Sequence, residues 1–159
     1  MMITTTILAI VESFLATLAY AVLFNVPKQY YTACGITGMA GWLLYLAMCQ
    51  VTTVALASFV GTLAVVLISR IFTVRKKCPI TIFLVSGIIP LVPGAGIYYT
   101  AYYLVTGQMS LAAVKGLEAV KIAFAIVLGI IFVVSIPRDA FQIRYWRAKR
   151  KRKRLKNHG

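Results

Sequence analysis

The sequence predicts an all-α integral membrane protein with five transmembrane helices, an outer N-terminus and a cytoplasmic C-terminus. Of its 159 residues, 61% are apolar and 13% are charged, whereas soluble domains average about 45–50% and 25%. Only three residues are acidic, against 17 Lys and Arg. This composition excludes most soluble enzymes, and its high apolar fraction excludes a disordered chain.

Five apolar stretches have about the length that crosses the hydrocarbon core of a bilayer, roughly 20 residues. Short polar or basic segments separate them: Asn25–Gln29, Gln50–Thr53, Arg75–Lys77 and Gly107–Ser110. The second and third stretches are short, so a re-entrant pair is the alternative to two full crossings. The predicted membrane domain covers residues 1–137, with spans at about 3–24, 33–49, 54–72, 80–106 and 116–136, and a basic tail follows at 138–159.

The positions of the cations test the number and orientation of the spans. Cytoplasmic loops carry an excess of Lys and Arg. With five spans and the tail inside, fifteen of the 17 cations are cytoplasmic, and only Lys115 and Lys121 are not. A cleaved signal peptide is disfavoured for the first span, because it lacks a cationic start and its apolar stretch is too long.

Glu12 lies near the middle of the first predicted span. An acidic side chain at the bilayer centre is costly and normally faces a cavity or a partner. Two interpretations stay open. Glu12 carries a proton or binds a cation, or it makes a packing or assembly contact, for instance with Lys121 or a second subunit.

The fourth predicted span is interrupted by Pro90, Pro93, Gly94 and Gly96. The prolines remove backbone donors and clash with preceding carbonyls, so we expect two half-helices that meet inside the membrane. Transporters place substrates at such breaks, since the N-terminus of a half-helix attracts an anionic group. A simple kink that assists packing is the alternative.

Further residues complete the predicted pathway. Asn25 and Tyr98 are candidates for its polar lining, and Glu118 with Lys121 is a candidate outer gate, although local pairing on the helix is the simpler interpretation. Tyr102 and its neighbour Tyr103 fit the outer interfacial belt.

Gly35, Gly38 and Gly41 recur every third residue in the second span. Small residues at this spacing predict close helix packing, either within the chain or against a partner. The tail at 138–159 follows a span directly, which favours orientation and contact with anionic lipid over binding to nucleic acid.

Residue types needed for catalysis are scarce. The single histidine is His158, and the three cysteines form no CxxC pair. We therefore expect no metal site, no cofactor, no disulfide framework and no enzyme activity.

Three motifs resemble the threonine/serine exporter (ThrE) family, specifically its small YjjB-type component. They are Phe24-Asn25-Val26-Pro27, Ile89-Pro90-Leu91-Val92-Pro93-Gly94 and Ser135-Ile136-Pro137. The long basic tail extends beyond the family's usual short end.

The resemblance implies an exporter in the bacterial cytoplasmic membrane, driven by the proton gradient, whose cargo is threonine and serine or a dicarboxylate such as succinate. It also implies a YjjP-type companion subunit that supplies the other half, and a homo-oligomer is a further arrangement to consider. The competing hypothesis is a non-transporting scaffold that assembles a partner through the glycines of the second span and the tail.

Overall fold

A computed structural model describes residues 2–136, with side chains described from residue 7 onward. Every regular element in this part of the chain is helical, and the predicted lipid-binding tail lies outside it. Two 3-10 turns, at Lys28–Tyr30 and Ile89–Leu91, accompany six α-helices: α1 Met2–Leu23, α2 Tyr31–Cys49, α3 Val54–Lys76, α4 Thr81–Ile88, α5 Gly94–Val105 and α6 Met109–Val134.

Three helical stretches are long and apolar enough to cross a membrane: Lys28–Cys49, Val54–Lys76 and Met109–Val134. A fourth crossing results if α4 with its 3-10 turn and α5, which are bent by 51° relative to each other, form one span. The part of α1 with described side chains, Ile7–Leu23, is a shorter apolar helix. The all-helical membrane architecture is therefore confirmed, while the count of five and the orientation stay predictions.

The last helix begins earlier than the sequence predicts, at Met109 instead of residue 116. Residues 106–108 connect the two helices, and Gly107 among them has a left-handed φ of 77°, which glycine adopts without steric penalty. Of the polar residues that follow it, Gln108 still belongs to the connection, whereas Ser110 lies in the first turn of α6. Lys115 and Glu118 consequently lie well inside α6 instead of at its start.

The glycines of α2 allow close packing on two neighbours, as predicted. A Cβ at Gly35 would clash with the ring of Phe14, and one at Gly38 would lie 2.0 Å from the hydroxyl of Thr17, both on α1. On the α3 side, a Cβ at Gly41 would lie 2.3 Å from Val65. These contacts lie within the chain, so the glycines are not a surface for an external partner.

The C-terminal half of α6 packs on α3 in the same direction. Gly129 lies against Thr62, and further along both helices the buried Arg70 guanidinium donates hydrogen bonds to the carbonyls of Val134, at 2.6 Å, and Ile136. A cation at this position satisfies the last carbonyls of α6 and complements its dipole. The predicted topology has two crossings, α3 itself and the α4–α5 segment, between the start of α3 and the start of α6. Two crossings return the chain to the same side of the membrane, so α3 and α6 are expected to run in the same direction, as they do.

Most buried hydroxyl groups in the bundle bond to their own helices, the exception among the described residues being Thr73 on α3, whose hydroxyl has no hydrogen-bond partner. Each of four hydroxyls donates, at 2.7–2.8 Å, to the carbonyl four residues earlier in its own helix: those of Thr17, Thr37, Thr62 and Ser69. In lipid, polar groups have to be satisfied inside the protein. These side chains therefore pack as small apolar groups would.

Candidate transport cleft

The interruption between α4 and α5 forms at the predicted prolines. Pro90 lies in the 3-10 turn, and Pro93 immediately precedes α5. The backbone NH of Val92 donates to the carbonyl of Ile89 at 3.1 Å, and that of Gly94 to Val92 at 2.7 Å. The chain thus bends while keeping local hydrogen bonds, and the predicted break in the fourth helix is confirmed.

No side chain caps the N-terminus of α5. The first NH groups of a helix have no partner inside it, so the NH groups of Ala95 and Gly96 are available in the first turn. A Cβ at Gly94 would meet nothing within 4 Å, whereas one at Gly96 would lie 3.2 Å from Ala119 on α6. Gly94 therefore opens onto free space, and Gly96 allows α5 to approach α6.

A cleft of about 390 Å³ extends from this break to α6. Its volume lies within the range of small-molecule sites, about 300–1,000 Å³. The residues that line it come from α2, α3, the break with α5, and α6: Trp42, Tyr45, Val54, Ser58, Pro90 through Gly96, Tyr99, Lys115, Glu118, Ala119 and Ile122. We call this space the cleft.

One ion pair lies in the cleft. The ammonium of Lys115 is 2.9 Å from a carboxylate oxygen of Glu118, one turn further along α6, and both side chains are half-exposed, at 40% and 55%. A cation, an anion and the N-terminus of α5 therefore border the same space. Of the predicted gate, Glu118 lines the cleft, while Lys121 is exposed on α6 and does not.

Glu12 does not line the cleft. It is exposed, halfway along α1, and it lies opposite the face that carries Phe14, Thr17 and Ala21. The expected meeting of this acid with the broken helix is therefore not formed within the described residues.

Asn25 also lies away from the cleft, at the end of α1. Its φ of 52° is left-handed, and the next NH, that of Val26, donates to the carbonyl of Ala21 at 3.0 Å. This is a common helix ending that favours glycine or asparagine. The geometry explains Asn25 as a helix terminator, and its role in a pathway stays a prediction.

Tyr99, and not Tyr98, lines the cleft. Tyr98 is 64% exposed on the far side of α5, where its ring stacks on Tyr102 at 6.5 Å. The spacing contained a signal for this assignment, because Tyr99 follows Gly96 by three residues and so shares its face. The sequence alone does not show that this face of α5 turns toward α6, because that follows from the contact between Gly96 and Ala119.

Lys115, the local partner of Glu118, also lines the cleft, and so do Trp42, Tyr45 and Ser58, which no sequence motif selects. The rings of Trp42 and Tyr45 stack at 5.0 Å, and the hydroxyl of Ser58 donates to the carbonyl of Val54 at 2.8 Å. They come from three different helices, so only the packing of α2, α3 and α6 brings them together.

Comparison with protein families matches residues 9–136 to a family whose description is Threonine/Serine exporter, ThrE. The match spans all of the described helices except the start of α1. Comparison with curated proteins and with solved structures gives no significant match.

Proposed function

Because this chain belongs to the Threonine/Serine exporter (ThrE) family, we propose that the cleft is the cargo site of a threonine and serine exporter of which the chain forms one half. The observation that carries the proposal is the meeting of the uncapped α5 N-terminus with the Lys115–Glu118 pair in one cleft. Family membership supports the transport of hydroxy amino acids, and the cleft supplies groups that match their chemistry.

An amino acid at neutral pH carries a carboxylate and an ammonium on the same carbon. The carboxylate accepts hydrogen bonds from the NH groups of Ala95 and Gly96 and from the Lys115 ammonium, while Glu118 accepts from the cargo's ammonium. A half-exposed ion pair stabilises a protein by only about 0.2–1 kcal/mol. Cargo can therefore replace the Lys115–Glu118 contact at small cost and restore it on leaving.

The charges of the cleft favour a zwitterion over a dicarboxylate. Lys115 and the α5 dipole attract one carboxylate, but Glu118 repels a second one. A dicarboxylate such as succinate is therefore the less favoured cargo.

Export also requires an energy source and a complete pathway. We include in the proposal a proton gradient across a bacterial cytoplasmic membrane and a YjjP-type companion that supplies the other half. Glu12 stays the predicted proton carrier, although its position outside the cleft separates that role from cargo binding. The scaffold hypothesis is weakened, because the glycines it relied on pack inside the chain.

Efflux from threonine-loaded cells that express this chain with its companion tests the cargo site. Glu118→Gln and Lys115→Gln each remove one charged hydrogen-bond partner of the cargo, and we expect about tenfold slower efflux or more. Lys28→Gln is the matched control, since Lys28 is exposed and lies far from the cleft lining.

Membrane levels of every variant are measured alongside the rates. Wild-type efflux in both cleft variants at equal membrane levels would contradict the proposed site. Succinate efflux that gains relative to threonine in Glu118→Gln would support the charge argument.

A further inference from the structure

The cleft has two chemically different ends. Lys115, Glu118 and the N-terminus of α5 form its charged end. The rest of its lining includes a group of apolar and aromatic side chains, which we call the apolar end: Trp42, Tyr45, Leu91 and Ile122. The carboxylate and ammonium of the proposed cargo use only the charged end.

The two ends are separated along the helices. Ile122 follows Glu118 by four residues, so it lies on the same face of α6 about 6 Å further along. Tyr45 and Leu91 both lie beside Gly61, because a Cβ there would be 3.2 Å from each side chain. Gly61 is about two turns beyond the start of α3. A cargo held at the charged end therefore reaches the apolar end only with a long side chain.

The apolar end is held in place by the core of the bundle. Leu91 is buried in a hydrophobic cluster with Val65 and Ile126, and the other three residues of the apolar end pack against this cluster while staying partly exposed. The stacked rings of Trp42 and Tyr45 support each other as well. A surface that is already ordered loses little conformational freedom when it binds a ligand.

Threonine does not fill the cleft. It has eight non-hydrogen atoms, and even if each took the roughly 30 Å³ of a liquid water molecule, threonine would occupy about 240 Å³ of the 390 Å³. Its side chain ends at the γ atoms, so the apolar end stays uncovered. Small-molecule sites combine a mostly apolar lining with a few polar groups that fix orientation, and this lining suits a cargo with a larger apolar part.

We propose that the apolar end binds cargo side chains, so that the exporter also transports amino acids with large apolar side chains, such as norleucine and phenylalanine. This inference rests on the proposed function, because the charged end has to bind the carboxylate and ammonium of the same cargo. Each methylene group that leaves water for the apolar end strengthens binding by about fourfold. Trp42, Tyr45 and Ile122 are then the residues that determine side-chain specificity.

Competition in inverted membrane vesicles tests the preference, with the full-length chain and its companion expressed together. An exporter moves cargo into such vesicles, so uptake of labelled threonine is measured with unlabelled amino acids outside. Alanine, 2-aminobutyrate, norvaline and norleucine differ by one methylene group at each step. We expect the concentration that halves threonine uptake to fall about fourfold per step beyond 2-aminobutyrate. A series without this gain would overturn the proposal.

Lysine is the control for side-chain length without apolar character. Its side chain extends the norleucine skeleton with an ammonium group, and burying a charge among apolar side chains is costly. Lysine should therefore compete at least tenfold more weakly than norleucine. Equal competition by the two would overturn the proposal, since length alone would then explain the series.

Filling the apolar end tests where the side chain binds. In Ile122→Phe the added ring takes up space at this end, and we expect the advantage of norleucine over alanine to fall about tenfold, which corresponds to losing between one and two methylene contacts. Ile130→Phe is the matched control, because Ile130 packs on the same cluster but does not line the cleft. It should keep the wild-type preference.

The ratio of two competitors does not depend on how much protein reaches the membrane. An unchanged ratio in Ile122→Phe, or an equal fall in Ile130→Phe, would overturn the assignment of the apolar end. If Ile122→Phe does not fold, the series measured with the wild-type chain decides.

Failure of this inference is distinguishable from failure of the proposed function. Threonine uptake that depends on Glu118 and Lys115 but shows no gain along the series would overturn the inference alone. Wild-type threonine uptake in both Glu118→Gln and Lys115→Gln would contradict the proposed cargo site, and the inference with it.

Discussion

Helices α2 and α5 differ in how much of their surface is buried against neighbouring helices. α2 buries a face of small residues between α1 and α3, whereas α5 has no buried residue and packs on α6. Segments with few buried contacts open at lower free energy than packed ones. The packed helices α1 to α4, with the C-terminal half of α6 against α3, therefore form the stable part of the molecule, and α5 is the helix that can move at lowest cost.

The two regions also differ in which polar groups are available. Most buried hydroxyls of the bundle donate to carbonyls of their own helices, as those of Thr37 and Thr62 do. Around the cleft, the α5 N-terminus is uncapped, and Lys115 and Glu118 are half-exposed. The groups that can bind cargo therefore lie where the packing is loosest, which suits a site that has to open and close.

Filling the cleft gives the largest expected effect. In Gly94→Leu the new side chain enters space in which even a Cβ meets nothing within 4 Å, so the fold should tolerate it. The side chain occupies the volume next to the α5 N-terminus, and we expect threonine efflux to fall by about two orders of magnitude, comparable to losing several cargo contacts.

Ala101→Leu is the matched control, because Ala101 is exposed on α5 and does not line the cleft. Efflux is measured from loaded cells, and thermal unfolding is measured in detergent. Normal efflux in Gly94→Leu would place the pathway elsewhere, while unfolding of this variant would show that Gly94 is needed for the fold.

Overpacking the bundle should lower stability and leave the efflux rate per folded molecule unchanged, the reverse of what we expect for Gly94→Leu. In Gly38→Val the added Cβ lies 2.0 Å from the hydroxyl of Thr17, so α1 and α2 have to separate. Forcing extra atoms into a packed core costs typically about 1–3 kcal/mol. We expect a lower melting temperature and less folded protein, with efflux reduced only in proportion to the protein that remains.

The double variant Gly38→Val/Thr17→Ala is the control, since removing the facing side chain should recover part of the stability. A wild-type melting temperature for Gly38→Val would show that the close packing of α1 on α2 does not determine the stability of the protein.

The sequence predicts the helical architecture well, because each signal is local. The run of Pro90, Pro93 and Gly94 determines where the fourth helix breaks, since proline removes donors wherever it lies. The glycines of α2 likewise predict close packing from composition alone. By contrast, the predicted start of α6 is too late, because a short turn at 106–108, with Gly107 at positive φ, is enough to connect the two helices.

The candidate site is predicted less completely, because it depends on which face of each helix turns inward. Depth along a span suggested that Glu12 meets the break, but depth does not determine direction, and Glu12 points away from the face that packs. Tyr98 and Tyr99 are likewise at nearly the same depth, and only the direction in which α5 turns places Tyr99, and not Tyr98, at the cleft. Lys115 lines the cleft because α6 packs beside α5 through Gly96 and Ala119, and this contact between helices is not visible in the sequence.

The choice between Tyr98 and Tyr99 gives the smallest expected effect. Tyr99 lines the cleft, and we expect its hydroxyl group to hydrogen-bond to the side-chain hydroxyl of threonine. One neutral hydrogen bond contributes about 0.5–1.5 kcal/mol, which corresponds to roughly two- to tenfold in efflux at low cargo concentration. Tyr99→Phe should therefore slow threonine efflux by that factor while the aromatic packing is kept.

The comparison of two cargoes separates this effect from a general loss of activity. 2-Aminobutyrate has the carbon skeleton of threonine without its hydroxyl, so its efflux should be the same in Tyr99→Phe and wild type. Tyr102→Phe, on an exposed ring outside the cleft, controls for the loss of a tyrosine hydroxyl on α5. A threonine-specific loss in Tyr98→Phe but not in Tyr99→Phe would move the pathway to the adjacent face of α5, because the two side chains leave the helix about 100° apart.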